Sequence, residues 1–316
     1  MPVRMISMSH SPLMLVPELR PKDRPAERGF YSALSTHATA LKKWKPELVI
    51  LFAPDHFNGF FHDLMPPFCI GTAAESTRDW KIPKQKLKID AALAENCVDF
   101  VRGHDIDVAI SRRMKVDHGF TISMLKLFGG IDGATVLPVF VNCAAHPRPS
   151  FRRVRQLGEA IGAFAASLPQ RTVIIGSGGL SHDPPTPRLN APKKILDRLT
   201  DRHTPTFAQY RQREARVIGN AKELAAGFGN LLAPDRDWDR VFLERLMAMK
   251  LEACDKYTDA EIDKKAGFGG HEVRVWVAAF AAMRASRPTS RRTKPKLDFY
   301  RVIPEWITGM AVAHAQ

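Results

Sequence analysis

Short apolar runs alternating with amphipathic helical stretches constrain the fold of this chain most. Residues 47–53 (ELVILFA) are apolar, β-branched in the middle and free of breakers, which suits a buried strand. Residues 135–141 (TVLPVFV) and 171–176 (RTVIIG) read the same way. Pro138 lacks a backbone N–H, so it argues for an edge position or a bulge in its strand. Between these runs, Phe151, Val154, Leu157, Ile161, Phe164 and Leu168 recur in steps of three and four, with Arg152, Arg153 and Arg155 mostly off that face. Phe30, Leu34, Leu41 and Trp44 make a similar stripe. Strands alternating with helices predict an α/β layered fold. From about Thr206 to Arg284 the pattern is mainly helical, and 184–192 (PPTPRLNAP) is a loop before it. The expected division is a single catalytic domain over 1–316. It comprises an α/β core (1–183), a mainly helical part (184–283) and a basic loop with a C-terminal tail (284–316).

Several of the eleven histidines sit in one kind of place. His10 ends the first β-like stretch (MISMSH), His56 follows a strand (ELVILFAPDH), and His182 closes a glycine-rich loop after another (RTVIIGSGGLSH). Open α/β sheets bind ligands outside the carboxyl ends of their strands, so these side chains point toward one crevice. His118 (KVDHGF) precedes an expected helix and can reach the same region. Two histidines and a carboxylate make a facial triad for non-haem Fe(II). Glu272 follows Gly269-Gly270 and begins a helix expected to be amphipathic, with Trp276 and Phe280 on its face. It serves equally as a first-turn glutamate complementing the helix dipole. Gly178 and Gly179 supply either positive φ for a tight turn or an anion-binding nest. Ser177 is in no GxSxG elbow and no GK[ST] follows the glycines, which argues against a serine hydrolase and a P-loop. Asp55 and Asp117 each precede a histidine and can orient imidazoles.

Composition narrows the classes. Of 316 residues, 45% are hydrophobic and 25% charged, which excludes a mainly disordered chain. The apolar runs are too short and broken for a membrane-spanning helix, and polar Ser7, Ser9 and His10 interrupt any signal-peptide stretch. A cytoplasmic protein is expected. Cys69, Cys97, Cys143 and Cys254 form no CxxC pair and read as small buried hydrophobes. The net charge of +14 permits an anionic substrate or nucleic acid. Part of it clusters in Arg284, Arg287, Arg291, Arg292, Lys294 and Lys296, where prolines and like charges favour a solvated loop.

Longer motifs carry a resemblance. SHSPL (9–13), LFAPDHFNGFFHDLMPPFCIG (51–71), VDHGF (116–120), VLPVFVN (136–142), GSGGLSH (176–182), HEVRVWVAAFAA (271–282) and IPEWITG (303–309) resemble the class III extradiol dioxygenases nearly end to end. The likeness is weakest in 73–92, 184–250 and 284–297. It implies an α/β sandwich around a mixed sheet and a cytoplasmic homo-oligomer, with no nucleic-acid or membrane partner. It implies Fe(II) held by His10, His56 and Glu272, with His118 as proton donor and His182 as proton acceptor. The implied reaction is ring cleavage by O2 of a catechol with a carboxylate side chain, such as 2,3-dihydroxyphenylpropionate or 2,3-dihydroxycinnamate.

An anionic side chain calls for a cation at the pocket mouth, and Arg112 and Arg113 lie near His118 in sequence, although solvated charges describe them as well. The alternatives are the same chemistry on protocatechuate, gallate, an aminophenol or a biphenyl-type diol. From other classes come a basic nucleic-acid-binding protein, for which no recognition motif is present, and a metal-binding relative without catalysis. A zinc hydrolase is weaker still, since HExxH is absent.

Overall fold

The computed structural model describes residues 3–188, 191–200, 205–287 and 294–316. The first half of the fold is β1 (Val3–Met8), α1 (Arg24–Trp44), β2 (Leu48–Ala53), β3 (Phe68–Gly71), β4 (Ala74–Ser76), α2 (Ala91–Arg102), β5 (Ala109–Ser111), β6 (Met114–Val116), α3 (His118–Phe128), β7 (Val136–Val141), α4 (Phe151–Ser167) and β8 (Thr172–Ser177). Then come α5 (Lys193–Thr200), α6 (Phe207–Ala225), α7 (Arg236–Met247), α8 (Asp259–Lys265), α9 (Val273–Ala285), β9 (Lys296–Ile303) and β10 (Thr308–Ala315). Among the described residues, an eight-stranded sheet runs in the order β5-β3-β7-β2-β8-β1-β10-β9, and β4 pairs with β6 separately. β1, β8, β2 and β7 are parallel neighbours, while β3 runs antiparallel to β7 and β10 antiparallel to β1. The sheet is therefore mixed, as expected.

The central strands read as unbroken apolar runs because both of their faces are buried. Successive side chains alternate across a strand. Leu48, Ile50 and Phe52 of β2 enter one apolar layer with α2, α4 and α9. Val49, Leu51 and Ala53 enter the other, with α1 and α3. The helices α4 and α9 approach closely. A Cβ on Gly162 would lie 2.1 Å from the Ala282 carbonyl oxygen, so a side chain there would push the two helices apart.

Three expectations change. Pro138 lies in the interior strand β7, flanked by β2 and β3. The ladder with β3 starts only at Val139, which spares the imino acid a pairing on that side. The helix after Glu272 is not amphipathic: every residue from Val273 to Met283 is buried, because α9 lies between the sheet and α4. The stretch 284–316 is largely not loop and tail. Arg284 belongs to α9, Lys296 opens β9, and β10 pairs with β1 inside the sheet. Arg284 pairs with Glu252 and Glu159, and Arg287 bonds to the Val3 carbonyl. Arg291 and Arg292 lie outside the described residues, as do Leu189 and Asn190 of the 184–192 loop. All four cysteines are buried free thiols, and burial pushes Cys69 and Cys97 up to about 12. No described helix is long and apolar enough to cross a membrane.

Candidate metal centre and its histidines

Because β1, β8 and β2 are adjacent and parallel, their carboxyl ends open on one edge of the sheet. His10 lies two residues beyond β1, His56 three beyond β2 and His182 five beyond β8. His118 is the first residue of α3, which Asp117 caps by accepting the Gly119 N–H at 2.9 Å. Glu272 closes a 3-10 turn, Phe268–Glu272, that runs into α9. All five residues line one cavity of about 400 Å³. The structure brings together the four histidines and Glu272.

The hydrogen bonds around the ring define which nitrogens are bare. Ser177 Oγ donates to the Gly119 carbonyl at 2.7 Å, which leaves its oxygen to accept from His10 Nδ1 at 3.1 Å. His10 Nε2 then carries the lone pair. It is buried, lies 3.5 Å from Glu272 Oε2, and has no hydrogen-bond partner among the described residues. His56 Nδ1 donates to Asp117 Oδ2 at 3.0 Å, and its Nε2 lies 3.0 Å from Glu272 Oε1. Gly179 N–H donates to Glu272 Oε2 at 2.7 Å and holds the carboxylate in place. A buried bare nitrogen is rare in folded proteins. Here it faces a carboxylate and a second imidazole, and that donor set fits a transition-metal cation. The residues that orient the imidazoles are the kind of support metal ligands have.

His118 also lies within ligand reach of His10 and His56. Its geometry argues against a shared ion. The rings of His56 and His118 stack, with centroids 4.1 Å apart and an interplanar angle of 24°. Lone pairs lie in the ring plane, so stacked rings aim theirs side by side. Perpendicular rings can converge, as His10 does with His56 at 86° and with His118 at 80°, so the stacking makes His56 and His118 alternatives beside His10. His118 Nδ1 instead bonds Asp79 Oδ2 at 2.6 Å. His182 Nδ1 donates to the Leu180 carbonyl at 2.8 Å, which leaves Nε2 to face Glu272 Oε1 at 3.4 Å.

Burial presses His10 down to about 3, against the pull of Glu272, so its imidazole stays neutral. Burial opposes charge on His56 too, but Asp117 and Glu272 outweigh it and hold this histidine well above its ordinary value. His182 is raised against burial by Glu272 and by its bond to Leu180. Burial alone would lift Glu272, but the imidazoles around it hold it well below the carboxylate range. The centre is built to hold positive charge.

The supporting residues were only partly legible. Asp117 orients an imidazole, that of His56 rather than its neighbour's. Asp55 touches no imidazole; it accepts the backbone N–H groups of Asn58, Gly59 and Phe60. Asp79 escaped notice because it lies 39 residues from His118, in a stretch where the motif likeness is weak. The glycine-rich loop has no positive φ at Gly178 or Gly179. These glycines serve close approach instead: a Cβ on Gly179 would sit 2.6 Å from His182 Cε1, and one on Gly178 would sit 2.8 Å from the Glu272 carbonyl oxygen. Arg112 pairs with Glu95 and lines no part of the cavity, and nor does Arg113. Arg198, Arg213 and Arg216 line it instead.

The site gathers four imidazoles and a carboxylate in one buried cluster whose donor atoms could hold a metal ion. The chain belongs to the family described as the catalytic LigB subunit of aromatic ring-opening dioxygenase, whose model matches residues 4–311. It is an extradiol-type dioxygenase. Proteins from Cupriavidus pinatubonensis and Rhodococcus jostii are each 41% identical to it, over 100% of this chain and 99% and 98% of theirs. One from Paraburkholderia xenovorans is 42% identical over 100% of this chain and 98% of its own. All three are named 2,3-dihydroxyphenylpropionate/2,3-dihydroxicinnamic acid 1,2-dioxygenase.

Proposed function

We propose that this enzyme uses Fe(II), held by His10, His56 and Glu272, to cleave 2,3-dihydroxyphenylpropionate and 2,3-dihydroxycinnamate beside the diol. Both atoms of O2 enter the product, a 2-hydroxy-6-oxo-dienedioate. The observation that carries the reading is the bare, buried Nε2 of His10, opposite Glu272 and at right angles to His56. When bound, Fe(II) would supply Lewis acidity and open positions for a catechol and O2. Leu13, Phe57, Trp80, Trp306 and Ile307 offer the aromatic ring an apolar slot. His182 is the proton acceptor: its Nδ1–H is committed to Leu180, so the neutral ring presents a lone pair on Nε2 to a catechol hydroxyl. His118 is the proton donor, its ring held by Asp79. Under this reading the whole chain acts as one catalytic domain, in the cytoplasm and as a homo-oligomer, without nucleic acid or membrane.

The test is anaerobic loading with Fe(II), then O2 and 2,3-dihydroxyphenylpropionate, followed by the appearance of a yellow ring-fission product. A panel with protocatechuate, gallate, an aminophenol and a biphenyl-type diol ranks the substrates. His10→Ala, His56→Ala and Glu272→Ala should each lower Fe(II) affinity and abolish cleavage. Full iron occupancy in Glu272→Ala would exclude this carboxylate as a ligand.

A further inference from the structure

The cavity is electrostatically one-sided. Among the described residues its only lining carboxylate is Glu272, at the centre itself, while Arg198, Arg213 and Arg216 also line it. The three arginines are not equivalent. Arg213 is committed: its guanidinium donates to the His56 carbonyl oxygen and to Asn58 Oδ1. Those bonds tie α6 to the strand-end loop that carries His56. Arg216 lies three residues further along α6, one helical turn away, where Cβ atoms stand about 5–6 Å apart. Its guanidinium makes no hydrogen bond or ion pair with any described residue, and it faces the like charge of Arg213. Val217 beside it continues the apolar wall. An unpaired guanidinium at the rim of a mostly apolar slot is a receptor for a carboxylate, which it can grip with two parallel N–H bonds.

We infer that Arg216 binds the side-chain carboxylate of the catechol and so sets the preference for acidic over neutral catechols. The inference rests on the ring-cleavage reading and names the part of that cavity that selects the substrate. An anion there also relieves the repulsion between Arg216 and Arg213. Arg198, on α5, is equally without a partner among the described residues and is the direct competitor for the role.

The experiment compares 2,3-dihydroxyphenylpropionate with 3-propylcatechol, which keeps the chain and lacks the charge. Both kcat/KM and anaerobic binding by calorimetry are measured on the Fe(II)-loaded enzyme. In Arg216→Gln the preference for the acidic catechol should fall on the order of 10–100-fold, the range expected for a lost charged hydrogen bond, mostly through KM. Arg216→Lys should retain part of it, since an ammonium keeps the charge without the fork. Arg198→Gln should leave the preference intact. An unchanged preference in Arg216→Gln, or its loss in Arg198→Gln alone, overturns the inference. So does a wild-type enzyme that cleaves both catechols equally well, and ring cleavage then stands. A wild-type enzyme that binds the acidic catechol tightly without opening its ring fails the cleavage reading instead. The binding ratio still judges Arg216 in that case.

Discussion

At the scale of single residues, the chemistry turns on which ring nitrogen each neighbour occupies. Ser177, Asp117, Asp79 and Leu180 each engage an Nδ1, on His10, His56, His118 and His182 in turn. Every Nε2 is thereby left for the cavity. Three of these imidazoles face Glu272; His10 and His56 are the candidate ligands, while His182 and His118 are expected to move protons. Their loss should therefore look different. His118→Ala and His182→Ala should both keep iron, and each should lose about 10²–10⁴-fold in turnover, the usual contribution of general acid or base catalysis. Without the acceptor His182, activity should partly recover at higher pH, where the catechol ionises without help. Without the donor His118, alkali should bring no recovery. Rate–pH profiles with iron analysis check this, and equal rescue of both variants would show that the two roles are misassigned.

At the scale of elements, charged side chains tie together the frame behind the site. Arg274, on α9 two residues beyond Glu272, is almost fully buried. It donates to Asp259 Oδ1 at 2.6 Å and to the Pro149 carbonyl at 2.9 Å, and its Nη1 lies 2.7 Å from His271 Nδ1. On the other side of the molecule, Asp298 of β9 joins α1 to β10. One of its oxygens lies 2.9 Å from His37 Nε2 and 2.7 Å from His314 Nδ1. Burial alone would raise Asp298, but the bonds to His314 and His37 pull it down to about 2. A carboxyl whose pKa is depressed by folding stabilises the fold above its unfolded value of about 3.9, and loses that contribution as pH falls through the folded value. Asp298 is exposed and water screens its bonds, so Asp298→Asn should cost no more than about 1 kcal/mol at neutral pH. The gap to wild type should narrow between about pH 4 and pH 2. Urea melts at several pH values measure it, and a gap independent of pH would mean that the ionised form contributes nothing.

At the scale of the whole molecule, the first and last strands lie side by side within the sheet. β10 lies between β1 and β9, with Met5 opposite Ala315 and Met8 opposite Val312. The Ser9 hydroxyl donates to Gly309 and accepts from Ala311, which holds the strand end that leads to His10. A chain ending at Lys294 loses β9 and β10, leaves one edge of β1 unpaired and uncovers both apolar layers. It should lack a cooperative thermal transition and bind no Fe(II). Calorimetry and metal titration would decide, and a truncated chain that melts cooperatively would make the last two strands dispensable.

What the sequence determined by itself was whatever local pattern encodes. A strand buried on both faces must be apolar throughout, so ELVILFA, TVLPVFV and RTVIIG were legible as β2, β7 and β8. The stripes of α1 and α4 were legible for the matching reason at helical period. Histidines at strand ends were legible as a site because parallel strands put their carboxyl ends together. Tertiary structure alone decided the rest. β9 was unreadable because Lys296, Asp298 and Arg301 break its pattern at the sheet edge, where side chains meet water. The burial of α9 on every side depends on what packs over it. Asp79 and Asp117 act through imidazoles distant in the chain, and their acidic character carries no trace of which imidazole that is. Periodicity reports which face of an element is dry; only the folded chain fixes which charges stand 3 Å apart and which guanidinium is left without a carboxylate.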